Sequence, residues 1–237
     1  MKQILVIITC FFVFQTTNAQ LFSKERIKNI ENFDKKRLSY GYYLGVTSYD
    51  FNFDYYENKK DIQVEKSTGF SVGLIGNLRI NDYIDIRLEP GLFITKRKLL
   101  YDESYFAGLE YTDADLFRDV KSTYIHIPLL VKLSTKRINN IKPFIIGGIS
   151  TALNLSSNEG NKNDNSDGKF RTSKNVMFYE LGFGIDLYLY FFKFTPSIRG
   201  VFALNDEIIQ DKDPNSPWTS NVKSMKTRGM FINFTFQ

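Results

Sequence analysis

The stretch Tyr83-Ile-Asp-Ile-Arg-Leu-Glu-Pro-Gly-Leu-Phe-Ile-Thr-Lys-Arg-Lys-Leu99 decides how this chain folds. Successive side chains of a strand point to opposite faces. Ile84, Ile86, Leu88, Leu92 and Ile94 therefore share one face, and Asp85, Arg87, Glu89 and Gly91 share the other. Such a strand suits a wall with hydrocarbon on one side and a polar interior on the other.

The device recurs along the chain. In Ser67–Ile80, Phe70, Val72, Leu74, Leu78 and Ile80 oppose Ser71, Gly73, Asn77 and Arg79. In Val176–Tyr190, Leu181, Phe183, Ile185, Leu187 and Leu189 oppose Glu180, Gly182, Gly184 and Asp186. Met225–Phe236 sets Met230, Ile232, Phe234 and Phe236 against Asn233 and Thr235. With Tyr40–Phe53, Val120–Leu133, Ile141–Leu155 and Lys193–Leu204 the alternating stretches number eight. Their connections run long, short, long, short, as when antiparallel strands cross a membrane with turns on one side and loops on the other. The expected fold is all-β: an eight-stranded antiparallel up-and-down transmembrane β-barrel with a polar, side-chain-filled lumen.

Strand glycines (Gly41, Gly45, Gly73, Gly91, Gly182 and Gly184) lie on the polar parity. Glycine weakens a solvent-facing strand, but inside a narrow eight-stranded barrel it makes room, which leaves space for Arg87 or Arg199 to cross. The expected lumen network comprises Arg79, Asp85, Arg87, Glu89, His126, Lys132, Glu180, Asp186 and Arg199, because buried charge is costly unless paired. A barrel so filled is too narrow to conduct a folded protein. A soluble barrel with an apolar pocket is the structural alternative.

Residues 1–19 read as a signal peptide: Lys2, an apolar core Ile4–Phe14, and Thr17-Asn18-Ala19 before Gln20. That core is about 11 residues, where a membrane-spanning helix needs about 20. Cys10, the single cysteine, would leave with it, so the mature chain has no thiolate metal site. Residues 20–37 form a periplasmic N-terminal segment and 38–237 the barrel, with both termini periplasmic and the chain in the cell outer membrane. Residues 20–37 are a basic linker or a short docking helix with an Ile27, Ile30, Phe33 stripe. A net charge of +5 is too mild and dispersed for nucleic acid. Aromatics at 16% with a mean hydropathy of −0.26 suit a chain whose every second strand residue faces lipid.

Four long links carry the candidate surfaces: Asp54–Lys66, Leu100–Asp119, Ser156–Asn175 and Asn205–Ser224. Leu100–Asp119 mixes carboxylates with aromatics. Tyr105, Phe106, Tyr111 and Phe117, with Trp218 between Pro214, Pro217 and the last strand, are candidate partner contacts or rim packing. Ser156–Asn175 reads as a mobile loop. Its Asn163, Asn165, Asp167 and Gly168 imitate the start of a calcium loop, but Lys174 stands where a bidentate glutamate is required. His126, the one histidine, lies on the lumen parity near Pro128, which is expected to interrupt that strand's ladder. A hydrogen-bonding role is expected; catalysis would need a serine within reach, which no local motif marks. No catalytic, cofactor or metal residue and no small-molecule substrate is expected.

Several stretches resemble the PorT family of Bacteroidota, called SprT in gliding species. They are Arg37-Leu-Ser-Tyr-Gly-Tyr-Tyr-Leu-Gly-Val-Thr-Ser-Tyr-Asp-Phe51, Arg87-Leu-Glu-Pro-Gly-Leu92, Tyr124-Ile-His-Ile-Pro-Leu-Leu-Val-Lys132, Lys142-Pro-Phe-Ile-Ile-Gly-Gly148, Gly182-Phe-Gly-Ile-Asp186 and Phe194-Thr-Pro-Ser-Ile-Arg-Gly200. The resemblance implies an outer-membrane component needed for type IX protein secretion and, in gliding species, motility. Other secretion components would be its partners. It supplies no catalytic motif. An adhesion or ligand-binding barrel using the same loops is the competing expectation.

Overall fold

The computed structural model describes residues 27–57, 61–161, 165 and 168–237; the signal peptide and residues 20–26 lie outside these. Ten strand segments form one sheet: β1 (Leu38–Tyr55), β2 (Gln63–Lys66), β3 (Thr68–Arg79), β4 (Ile84–Leu88), β5 (Gly91–Leu100), β6 (Phe117–Ser134), β7 (Ile141–Asn154), β8 (Asn175–Tyr188), β9 (Lys193–Ala203) and β10 (Val222–Phe236). All pairings are antiparallel, and β1 pairs with both β10 and β3, which closes the ring. β2 and β3 are one stave interrupted at Ser67, and β4 and β5 another interrupted at Glu89-Pro90. The ten segments are thus eight staves of an up-and-down barrel.

Both interruptions have local causes. At Ser67 the register against β5 slips by one residue, and the Ser67 N–H and hydroxyl both donate to the Lys96 carbonyl. Pro90 lacks a donor and cannot continue the ladder. Pro128 lies opposite this break, and its carbonyl accepts from Glu89 N–H at 3.2 Å. The β6 ladder on this side is interrupted at Pro128, as expected, between Leu88↔Leu129 and Gly91↔His126, while the ladder to β7 runs through at Pro128↔Ser150.

Inside and outside follow parity. Ile86, Leu88, Phe183 and Ile185 turn outward, and Asp85, Arg87, Glu180 and Asp186 are buried. The outward apolar band gives way at the loop end to Ser48, Asp50, Thr68, Lys96, Lys121 and Arg228. Rings flank it, with Tyr42 stacked on Phe236 and Tyr179 on Phe202.

The glycines serve rings more than guanidiniums. A Cβ on Gly91 would lie 2.0 Å from the Tyr43 hydroxyl, and one on Gly73 would lie 2.5 Å from the Tyr43 ring. Phe144 fills the space over Gly184 in the same way, at 2.5 Å. This revises the expectation that these glycines clear a path for arginine.

Residues 27–37 fold back onto the turn end. Asn29 donates to Asn140 Oδ1 and the Tyr188 carbonyl, Asp34 accepts from the Tyr188 hydroxyl at 2.7 Å and pairs with Arg137 at 3.0 Å, and Phe33 packs edge-on against Tyr188. Of the 20–37 segment, expected to be a linker or a docking helix, the described residues 27–37 pack against the barrel and form no α-helix. Ile30 adopts a left-handed backbone (φ 46°), and only the short 3-10 turn Glu31–Lys35 follows.

Candidate functional site

The barrel interior divides into three layers. The layer nearest the turns is ionic. Arg199 on β9 donates to Glu89 at 2.9 Å, on the diametrically opposite stave, and its Nε lies 3.1 Å from Glu180 on neighbouring β8. Arg87 pairs with Glu89 at 3.0 Å. His126 Nε2 meets Glu180 at 2.7 Å, and Lys132 meets Asp186 at 2.5 Å; both pairs reach from β6 past β7 to β8. Thr195 also donates to Asp186, and Asn77 lies 3.5 Å from Asp85.

Of the nine residues expected in this network, Arg79 stands apart. It is half-buried at the hairpin and pairs with Asp82 of its own turn. It is the last residue of β3, so the turn's carboxylate is nearer than the lumen's. Lys193 is a member that parity arguments passed over; it lies buried, 4.0 Å from Asp186.

The middle layer is aromatic. Tyr43, Tyr49, Phe93, Tyr124, Phe178 and Phe231 cluster in the lumen with Ile75 and Val201. His126 stacks on Phe178 (5.5 Å, 15°) and lies 4.9 Å from Phe93. Its ring is held between apolar faces with one nitrogen on a carboxylate, a geometry for fixing position. The signal for this layer was available: Phe93, Phe178 and Phe231 share parity with Glu89, Glu180 and Asn233.

At the loop end Arg97 is buried across the mouth. It donates to Ser122 (2.7 Å), Thr227 (2.9 Å) and Tyr124 (3.2 Å), and its guanidinium lies 3.7 Å from the Phe51 ring centre. Glu207, in the loop after β9, accepts from Thr227 N–H at 2.7 Å. Burial pushes its carboxyl above the ordinary range, against the opposing pull of Arg97.

Above this the loops form a packed cap. Phe51, Ile62, Leu99, Tyr101, Tyr105, Phe106, Phe170 and Met225 make its core. Trp218 packs edge-on against Phe106, donates to the Asp115 carbonyl at 3.1 Å, and carries Arg118 over its ring at 4.3 Å. Two hydrogen bonds from Thr112, backbone and side chain, hold the Asp115 carboxyl below the ordinary range, with Arg118 adding to them. Arg171 pairs with Asp211 at 2.8 Å, and Asp211 also accepts from Asn165.

Tyr105 and Phe106 are buried in the cap and Trp218 packs half-buried against it, which is the rim-packing alternative for these three. Tyr111 and Phe117 alone of the five candidates are exposed (39% and 37%). Of the Ser156–Asn175 link, expected to be mobile, residues 162–164, 166 and 167 lie outside the described residues; of the rest, Phe170 is buried, Arg171 pairs with Asp211 and Thr172 bridges to Ile208. Of the calcium-like run, Asn163 and Asp167 lie outside the described residues, and Asn165 is committed to Asp211, Arg171 and Arg118. Between the lumen floor and residues 33–36 a cavity of about 20 Å³ is lined by Asp34, Asp85, Lys142 and Asp186. It is water-sized.

A sequence model of the family described as "Outer membrane protein beta-barrel domain" matches residues 18–208. No curated protein sequence matches. Among solved structures the fold is similar to OprG from Pseudomonas aeruginosa, at 14% identity over 84% of this chain and 93% of that one, with a TM-score of 0.47. It is also similar to Neisserial surface protein A, at 9% identity over 84% and 98%, with a TM-score of 0.44.

Proposed function

The chain belongs to the outer membrane protein beta-barrel domain family, and from that premise we propose a non-enzymatic component required for type IX protein secretion and, in gliding species, motility. It works through contacts of its exposed surfaces with other secretion components and not as the export pore. The observation that supports the reading is the filled bore. Ionic, aromatic and loop layers occupy the axis in turn, and the Asn29–Asp34 stretch lies across the turn end. The assignment to type IX secretion rests on the resemblance of the stretches from Arg37 to Gly200 to the PorT family.

Deletion of the gene is expected to block release of type IX cargo while general envelope integrity is kept, with recovery on complementation. Normal cargo release from the deletion strain would remove the secretion role. Separately, the purified barrel in planar bilayers is expected to give no discrete conductance steps; stable large steps would remove the statement that it is not a pore.

A further inference from the structure

Near the loop end, among the described residues, two neighbouring strands of the wall part without a ladder between them. β1 pairs with β3 only as far as Ser48↔Thr68, and beyond that its sole ladder is to β10, out to Tyr55. β2 pairs only with β5. The facing edges of β1 and β2 are thus not laddered to each other, and a slot of about 340 Å³ lies between them.

The backbone groups that face the slot can be named, because alternate residues of a strand bond to opposite sides. The Arg37 carbonyl accepts from Arg79 N–H on the β3 side. With no bulge between, odd-numbered β1 residues continue to face that side, so Phe51 and Phe53 look into the slot. On β2, Ile62 N–H turns away from β5 and donates to the Tyr55 hydroxyl at 2.9 Å. Val64, of the same parity, also faces the slot. Phe51 N–H takes the side chain of its own neighbour, Asp50 Oδ1, at 2.9 Å. Side-chain oxygens thus stand in for a missing ladder at both edges.

The slot has two side-chain clasps. At the membrane side Lys66 and Arg228 both pair with Asp50, at 3.0 and 2.9 Å, and the two cations are about half exposed. At the far end stands the Tyr55–Ile62 hydrogen bond. Solvated pairs of this kind hold weakly, so the clasps can part. Edges carrying unladdered N–H and C=O groups are templates for another strand. The chemistry that satisfies two such edges at once is an extended polypeptide backbone.

We propose that the β1–β2 slot accepts an extended segment of a partner protein as an added strand. This deepens the partner-contact reading above, yet it stands or falls in binding assays that do not involve cargo export.

The test uses the full barrel in lipid nanodiscs and a labelled hexapeptide of alternating threonine and valine. In the free barrel the Phe53 and Val64 amides should exchange quickly with deuterium; the peptide should bind saturably and slow both. Val64→Pro removes a slot-facing donor without touching the β5 ladder. It should weaken binding at least tenfold, whereas Val64→Ala should leave it within about twofold. A peptide N-methylated on alternate residues tests the same donors without altering the barrel, and should also bind at least tenfold more weakly. Slow exchange of both amides in the free protein would overturn the proposal, since the slot would then be zipped shut. So would equal binding of the N-methylated peptide, no binding of the parent, or protection arising only from dimers of this chain.

Discussion

Replacing Arg199 with methionine removes the side chain on which the ionic layer converges. Its guanidinium serves Glu89 and Glu180, 2.9 and 3.1 Å away and both fully buried. Removing one partner of a buried pair costs about 3–5 kcal/mol, because an uncompensated charge stays behind. Each carboxylate keeps another neighbour, Arg87 for Glu89 and His126 for Glu180, so the expected loss is at the lower end, about 3 kcal/mol. Glu180→Gln on the Arg199→Met background restores charge balance and should recover about 1–2 kcal/mol. Urea unfolding and refolding in lipid vesicles, followed by circular dichroism for the native chain, both single variants and the double, gives the coupling directly. A loss under about 0.5 kcal/mol for Arg199→Met with no coupling to Glu180 is what independent, solvated sites would give. That outcome would mean a wet lumen, and the filled-bore argument would fail with it.

Three further outcomes are expected. Gly91→Ala sets a methyl 2.0 Å from the Tyr43 hydroxyl and 2.8 Å from the Val72 carbonyl, and should cost about 1–3 kcal/mol by overpacking. Adding Tyr43→Leu should relieve part of this, as shown by non-additive unfolding midpoints. Phe106→Ala empties a buried site in the cap core and should cost about 3 kcal/mol locally; faster protease cleavage of the loops with unchanged barrel migration on gels checks it. The Glu207 carboxyl titrates above its ordinary 4.5 in the folded protein. Both states are protonated below that value. As pH rises through it the unfolded chain ionises first, so stability falls until the folded group ionises too. Glu207→Gln should therefore stabilise the cap at pH 8 relative to the native chain and make little difference at pH 4, measured by Trp218 fluorescence during unfolding.

Much of the fold was legible because parity is a local property. The eight alternating stretches match the staves to within a few residues, apart from the additional β2 segment Gln63–Lys66. The expected ladder interruption at Pro128 is present on one side of β6 only, and the sequence did not show that Pro90 of the neighbouring stave would stand at the same break. The candidate site was legible in membership and less so in arrangement. Asp85 stands directly opposite Lys132 in the β4–β6 register, yet Lys132 pairs with Asp186. Which carboxylate a lysine meets depends on the tilt and curvature of the closed ring, and a single strand does not encode them. The loop aromatics left two readings open, partner contact or rim packing, for a related reason. Composition marks Phe106 and Trp218 as sticky, but only the convergence of the four long links shows that they stick to one another.

By itself the amino-acid order determined which side chains look inward, since a strand's period of two leaves no freedom once one face is greasy and the other charged. Closure of the wall decided the rest: the partner of each lumen charge, the burial of the cap, and the gap where β1 and β2 part. Those outcomes arise from distances between residues far apart in the chain, and ring geometry sets such distances.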